Sequence, residues 1–95
     1  MDGVVDMNQV LALDGNAAAG LLQEIFAEEM TTSPAECVTC GAVGELGSLR
    51  AYRTSMGVVL RCPYCGAIVL RVAVTPRAIY LDARGAVYLR LERKG

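Results

Sequence analysis

The residues of this 95-residue chain whose types and spacing carry chemistry are its four cysteines. They form two C-x2-C-G units, Cys37-Val38-Thr39-Cys40-Gly41 and Cys62-Pro63-Tyr64-Cys65-Gly66, with 21 residues between Cys40 and Cys62. A two-residue gap lets both thiolates of a unit point at one tetrahedral ion about 2.3 Å away. The glycine after each second cysteine is free to adopt the backbone conformation that turns amides toward the sulfurs. Each unit supplies half of a site, so Cys37, Cys40, Cys62 and Cys65 are read together as the ligands of one Zn2+ per chain. Iron on the same four sulfurs, free thiols and disulfides are the competing readings.

Four sulfur ligands leave zinc no open position for water, which makes the expected metal structural and not a Lewis acid. The chain has no histidine, so every imidazole-dependent dyad or triad is excluded. A thioredoxin-like redox role fits poorly, because such motifs open a helix within an α/β unit and both units here fall between predicted strands. These observations predict a protein that is not an enzyme and has no small-molecule substrate.

The elements that must position the cysteines are few. At 95 residues the chain has room for one domain with a modest core, which a metal would help to hold. Its 54% hydrophobic and 20% charged residues exclude intrinsic disorder. The net charge of −1 hides an asymmetry: residues 1–36 carry seven acids and no base, and residues 37–95 carry nine bases and three acids. With four thiolates and one zinc ion the second part falls from +6 to about +4 and remains the basic one. The N-terminus has acids where a secretory signal has bases, and no apolar run approaches the roughly 18 residues that span a bilayer. A cytoplasmic protein with no membrane contact is expected, in a reducing compartment where paired cysteines serve metals more than disulfides.

Residues 1–13 read as a flexible or extended lead-in. From Asp14 or Asn16 as N-cap, the three- and four-residue spacing of Ala18, Leu21, Leu22, Ile25, Phe26 and Met30 predicts a helix to about Met30. Thr31-Thr32-Ser33-Pro34 stops it, giving an N-terminal helix unit over 14–33. Gly20 in mid-helix costs up to about 1 kcal/mol against alanine, and Glu24, Glu28 and Glu29 crowd the end where the helix dipole prefers cations. Those acids are either a solvated face or a surface turned to the basic part or a partner.

After Cys37 the period becomes two. Residues 49–53, 58–61, 68–75, 79–82 and 87–92 read as five strands of an antiparallel meander. Alternation puts Ile68, Leu70, Val72, Val74, Ile79, Leu81, Val87, Leu89 and Leu91 on one buried face for the helix to cover. The expected fold is α+β: an N-terminal helix packed on a small meander over 34–95 that contains the four-cysteine site.

Residues 37–75 resemble the zinc-ribbon superfamily, in which a hairpin between two cysteine knuckles brings them together; that likeness implies fold and metal, not activity. Rubredoxins have a similar knuckle but are acidic in the metal domain and rich in aromatic core residues, unlike this chain. Leu13-Asp14-Gly15-Asn16-Ala17 with Gly20 and Leu21, the two knuckles, and Gly57-Val58-Val59-Leu60-Arg61-Cys62-Pro63 together resemble a family of short bacterial zinc-ribbon proteins classed as a domain of unknown function. The resemblance implies the same helix-plus-ribbon layout. Ribbons of the transcript-cleavage type carry an acid pair at the hairpin tip, and the tip here, Thr54-Ser55-Met56-Gly57, has none.

The face opposite the apolar one is expected to collect Arg50, Tyr52, Arg61, Arg71, Tyr80, Tyr88 and Arg90. Arginine interleaved with tyrosine suits phosphates and stacked bases, and equally suits an ordinary solvated sheet or a protein partner. The function expected is that of a protein-interaction or regulatory adaptor module whose partner is another protein or a second copy. The alternative is an RNA- or DNA-associated factor using the Arg/Tyr face.

Overall fold

Asp14 opens the first helical turn: its Oδ1 accepts the Asn16 amide at 3.1 Å, satisfying one of the amides that a helix start leaves free. The computed structural model describes residues 13–26 and 29–92. Strand β1 (Leu13–Asp14) leads into a 3-10 turn, Gly15–Ala18, which continues as helix α1 (Ala19–Phe26). The helix is shorter than the periodicity predicts. Glu29 and Met30 are not helical, and residues 27 and 28 lie outside the described residues. The Glu29 carboxylate accepts the Thr31 amide at 2.7 Å and the Thr31 hydroxyl, a local turn that competes with a helical path. Met30 is nonetheless buried, off the helix.

Seven strands follow: β2 (Pro34–Cys37), β3 (Val43–Glu45), β4 (Arg50–Arg53), β5 (Gly57–Arg61), β6 (Ile68–Val74), β7 (Ile79–Asp82) and β8 (Ala86–Leu89). The α+β class stands, with two antiparallel sheets instead of one: five strands in the order β1-β4-β5-β6-β7, and three in the order β3-β2-β8. The meander runs from β4 to β7 with the predicted turns. Thr54 Oγ1 accepts the Met56 and Gly57 amides in the first, and Thr75 Oγ1 those of Arg77 and Ala78 in the second.

The expected fifth meander strand departs from this plan. After β7 the chain crosses to pair with β2, with Ala35 opposite Leu89 and Cys37 opposite Ala86. Gly85 makes the crossing: a Cβ there would stand 1.8 Å from the Ile68 carbonyl oxygen, so only glycine lets the backbone pass so close to β6. The Gly85 carbonyl then accepts the Val38 amide at 2.9 Å, tying the crossing to the first cysteine unit. Residues 1–12 of the expected lead-in lie outside the described residues, and position 13 already belongs to β1.

The core joins Ala18 and Leu22 to Leu46, Leu49, Ala51, Val58, Leu60, Val69, Leu70 and Val72. Leu21, Ile25 and Phe26 of the predicted helix stripe are only half-buried. Of the nine residues expected on one buried face, only Leu70 and Val72 are buried. Val74, Ile79 and Leu81 share that face by register, Val72 opposite Leu81 and Val74 opposite Ile79, yet are 40, 37 and 39% exposed. Size explains this. An eight-residue helix is about 12 Å long and 10 Å wide, whereas five strands extend about 19 Å across. Ala18 and Leu21 share a cleft with Ala51, Val58 and Val74, so α1 covers one side of the face and stops there. Ile68 is half-buried because a register shift between Leu60 and Arg61 places it opposite Arg61 and leaves Val69, which is buried, as the extra residue. Val87 and Leu91 are exposed and Leu89 half-buried, since β8 has left the sheet.

Candidate metal centre and the arginine–tyrosine face

The two cysteine units fold alike because their spacing and glycines are alike. Cys37 donates its amide to Ala42 at 2.9 Å and Cys62 donates to Ala67 at 2.8 Å. The amide of Gly41 returns to the Cys37 carbonyl at 2.8 Å, and that of Gly66 to the Cys62 carbonyl at 2.9 Å. Gly41 and Gly66 have φ of 79° and 78°, the left-handed region that glycine enters without strain. The first unit ends β2 and the second follows β5; the β4–β5 hairpin between them brings both to one place.

There the four Sγ atoms lie within 4.8 Å of one another. Cys37 and Cys65 are 3.7 Å apart and Cys40 and Cys62 are 3.6 Å apart, too far for a sulfur–sulfur bond, which needs about 2.05 Å. A tetrahedral ion with metal–sulfur bonds of about 2.3 Å requires sulfur separations of about 3.8 Å, so the cluster has the dimensions of a metal cage. Cys37 and Cys62 are buried, and Cys40 and Cys65 reach the surface.

Electrostatics divide the thiols in the same way. The Cys40 amide, aimed at the Cys37 sulfur, holds that thiol below its ordinary value despite burial. Burial works to raise Cys62, but the amides of Cys65 and Tyr64 outweigh it and bring the thiol down to about 7. The Ala67 amide favours the Cys65 thiolate, yet burial and the three neighbouring sulfurs push that thiol up to about 12. Against the pull of the Ala42 amide and of Cys65, burial and the Cys62 and Cys37 sulfurs raise Cys40. Backbone amides thus prepare two thiolates, and four together repel unless a cation sits among them. All four predicted cysteines come together, and the chain has no further cysteine and no histidine.

The Arg/Tyr face is only partly as expected. Register places Arg50, Tyr52, Arg61, Arg71 and Tyr80 on one face of the five-stranded sheet. Tyr88 lies in β8 of the other sheet and Arg90 beyond it, because the chain crosses at Gly85, and Arg90 pairs with Glu92 at 2.9 Å. Two acids that residue type alone did not flag stand on the face: Asp14 opposite Arg50 and Asp82 opposite Arg71. Hydrogen bonds from Arg84 hold the Asp82 carboxyl well below the usual carboxylate range, with a further pull from Arg71. The hairpin turn at Pro76-Arg77 fixes that register and was the signal that could have found Asp82. The Arg61 guanidinium lies 5.9 Å from the Tyr52 ring centroid and donates to the Gly66 carbonyl at 2.8 Å, linking the face to the second cysteine unit. Tyr52, Arg53, Thr54, Val59 and Arg61 line a cleft beside it.

Among the described residues no helix is long and apolar enough to cross a membrane. A family model described as a family of unknown function, DUF6510, matches residues 7–94. No curated protein and no solved structure matches the chain.

Proposed function

Since the chain belongs to the family of unknown function DUF6510, its role is read from its own residues, and we propose that it is a non-catalytic protein built on one structural zinc ion per chain, acting in the cytoplasm as a protein-interaction or regulatory adaptor module. The spacing of the four sulfurs is the observation that carries the metal assignment. Zinc suits an all-thiolate tetrahedron, has no redox chemistry of its own, and with four protein ligands keeps no position for a water or substrate. The metal's work is then to hold two knuckles together, and any activity lies on the surfaces that those knuckles organise.

The interaction reading is supported by the apolar strip Val74, Ile79 and Leu81, which the short helix leaves bare. Elemental analysis of freshly purified protein should give one zinc per chain; less than half an equivalent, or iron in its place, would overturn the assignment. For the adaptor reading, affinity capture is compared between the native chain and Ile79→Asp/Leu81→Asp, with zinc content checked in both. A specific partner retained by the native chain and lost by the variant supports the reading, and identical capture by both overturns it. The second reading, association with RNA or DNA, is favoured by the cleft between Tyr52 and Arg61.

A further inference from the structure

We propose that the cleft lined by Tyr52, Arg53, Thr54, Val59 and Arg61 takes one nucleotide of a single-stranded nucleic acid, its base against the Tyr52–Arg61 pair and its phosphate on Arg53 and Arg61. This rests on the second reading above and narrows it from a whole sheet face to one place.

The sheet carries a local cost beside the cleft. Arg50 and Arg61 lie directly opposite each other in β4 and β5, and like charges in that relation destabilise a strand pair. Asp14 offsets Arg50 from the far side, and an anion beside Arg61 would offset the other charge. Carboxylates are unevenly distributed around these arginines. Arg71 has Asp82 across the strand, and Arg50 has Asp14 on its other side, whereas Arg53 lies opposite Val58. Arg53 alternates to the other face of β4, with Val58, and reaches the cleft at the end of the strand; among the described residues no acid lines the cleft, so Arg53 and Arg61 have no carboxylate beside them there. Shape and chemistry also agree at the cleft. Tyr52 supports a flat guanidinium that Gly66 holds in place, and a tyrosine ring or an arginine plane stacks on any base. Val59 adds apolar lining. A duplex cannot deliver a base into this cleft, because its bases are already stacked and paired.

The test uses the full zinc-loaded chain and a fluorescein-labelled twelve-nucleotide oligouridylate, read by anisotropy at about 100 mM salt. Tyr52→Leu should weaken binding by at least about fivefold, the loss expected for one base stack. Arg53→Gln should weaken it too and flatten the logarithmic salt slope by about 0.7, one phosphate contact on a single strand. Arg71→Gln, whose charge already faces Asp82, should change affinity by less than about twofold and leave the slope alone. Zinc content and circular dichroism of each variant establish that it is folded, and the exposed Arg53 keeps the test decisive if Tyr52→Leu is not. Equal losses from Arg53→Gln and Arg71→Gln would overturn the cleft while leaving nucleic-acid association standing. Absence of binding at protein concentrations on the order of 100 μM would overturn both, since even sequence-tolerant contacts are visible there.

Discussion

Val58, Leu60, Leu70 and Val72 are buried on one face of the five-stranded sheet, whereas Val74, Ile79 and Leu81, farther along the same face, are more than a third exposed. The two stretches have the same side-chain chemistry and the same alternation. They differ in what lies above them: Ala18 and Leu22 join the first in one core, and nothing among the described residues seals the second. Alternation therefore reports which face of a strand is apolar, and the length of the covering element decides how much of it is core. The covered stretch also runs into the cysteine cluster, through Leu60, Arg61 and Cys62, so the packed core and the four-sulfur site adjoin on that side.

The largest effect erases the difference between the stretches. Replacing Cys62 by serine, or removing the metal with a strong chelator, should unfold the covered side along with the knuckles, because such a metal contributes on the order of 10 kcal/mol, comparable to the whole stability of a small domain. Loss of far-ultraviolet dichroism and of cooperative melting is the expected readout, restored by zinc only in the native chain. Leu70→Ala comes next, at about 2 to 5 kcal/mol in chemical denaturation, the cost of truncating a fully buried leucine. Gly20→Ala should stabilise the chain by up to about 1 kcal/mol, since Gly20 is an exposed helical position where an added Cβ meets nothing within 4 Å. A gain there marks the helix as a limited lid that propensity can strengthen. Leu81→Thr should move stability least, within about 0.5 kcal/mol, as for a surface position. A cost near that of Leu70→Ala would mean that the bare stretch is covered in solution, and the contrast would fail.

What the sequence made legible follows the same division between local and distant causes. The cysteine knuckles depend on contacts within five residues, so Cys37 to Gly41 and Cys62 to Gly66 were readable down to the glycines. The Asp14 cap and the β4–β7 hairpins, with their Thr54 and Thr75 turns, are local too. The partnership of Pro34–Cys37 with Ala86–Leu89 is not. It joins segments separated by most of the second half of the chain, and Val87, Leu89 and Leu91 alternate as well for either sheet. Gly85 was the only local sign of the crossing, and a glycine after Ala83-Arg84 reads equally as a hairpin turn. The end of the helix was missed because Glu29 binds the Thr31 amide and hydroxyl instead of extending the helical pattern. The Arg/Tyr face was legible in residue type but not in net charge, since Asp14 and Asp82 are brought onto it by register.

The crossing at Gly85 also sets an order of events during synthesis. All four cysteines precede Ala86 in the chain, so the four-cysteine cluster can form on a nascent polypeptide before the strand that completes its frame has been made. The β3–β2 edge must then wait for Ala86–Leu89 and for the closure of a long loop, a slow step because the entropy of joining distant segments is lost before their contacts form. Until that moment β2 presents an unpaired backbone edge beside the first knuckle, and the arrival of β8 is what covers it.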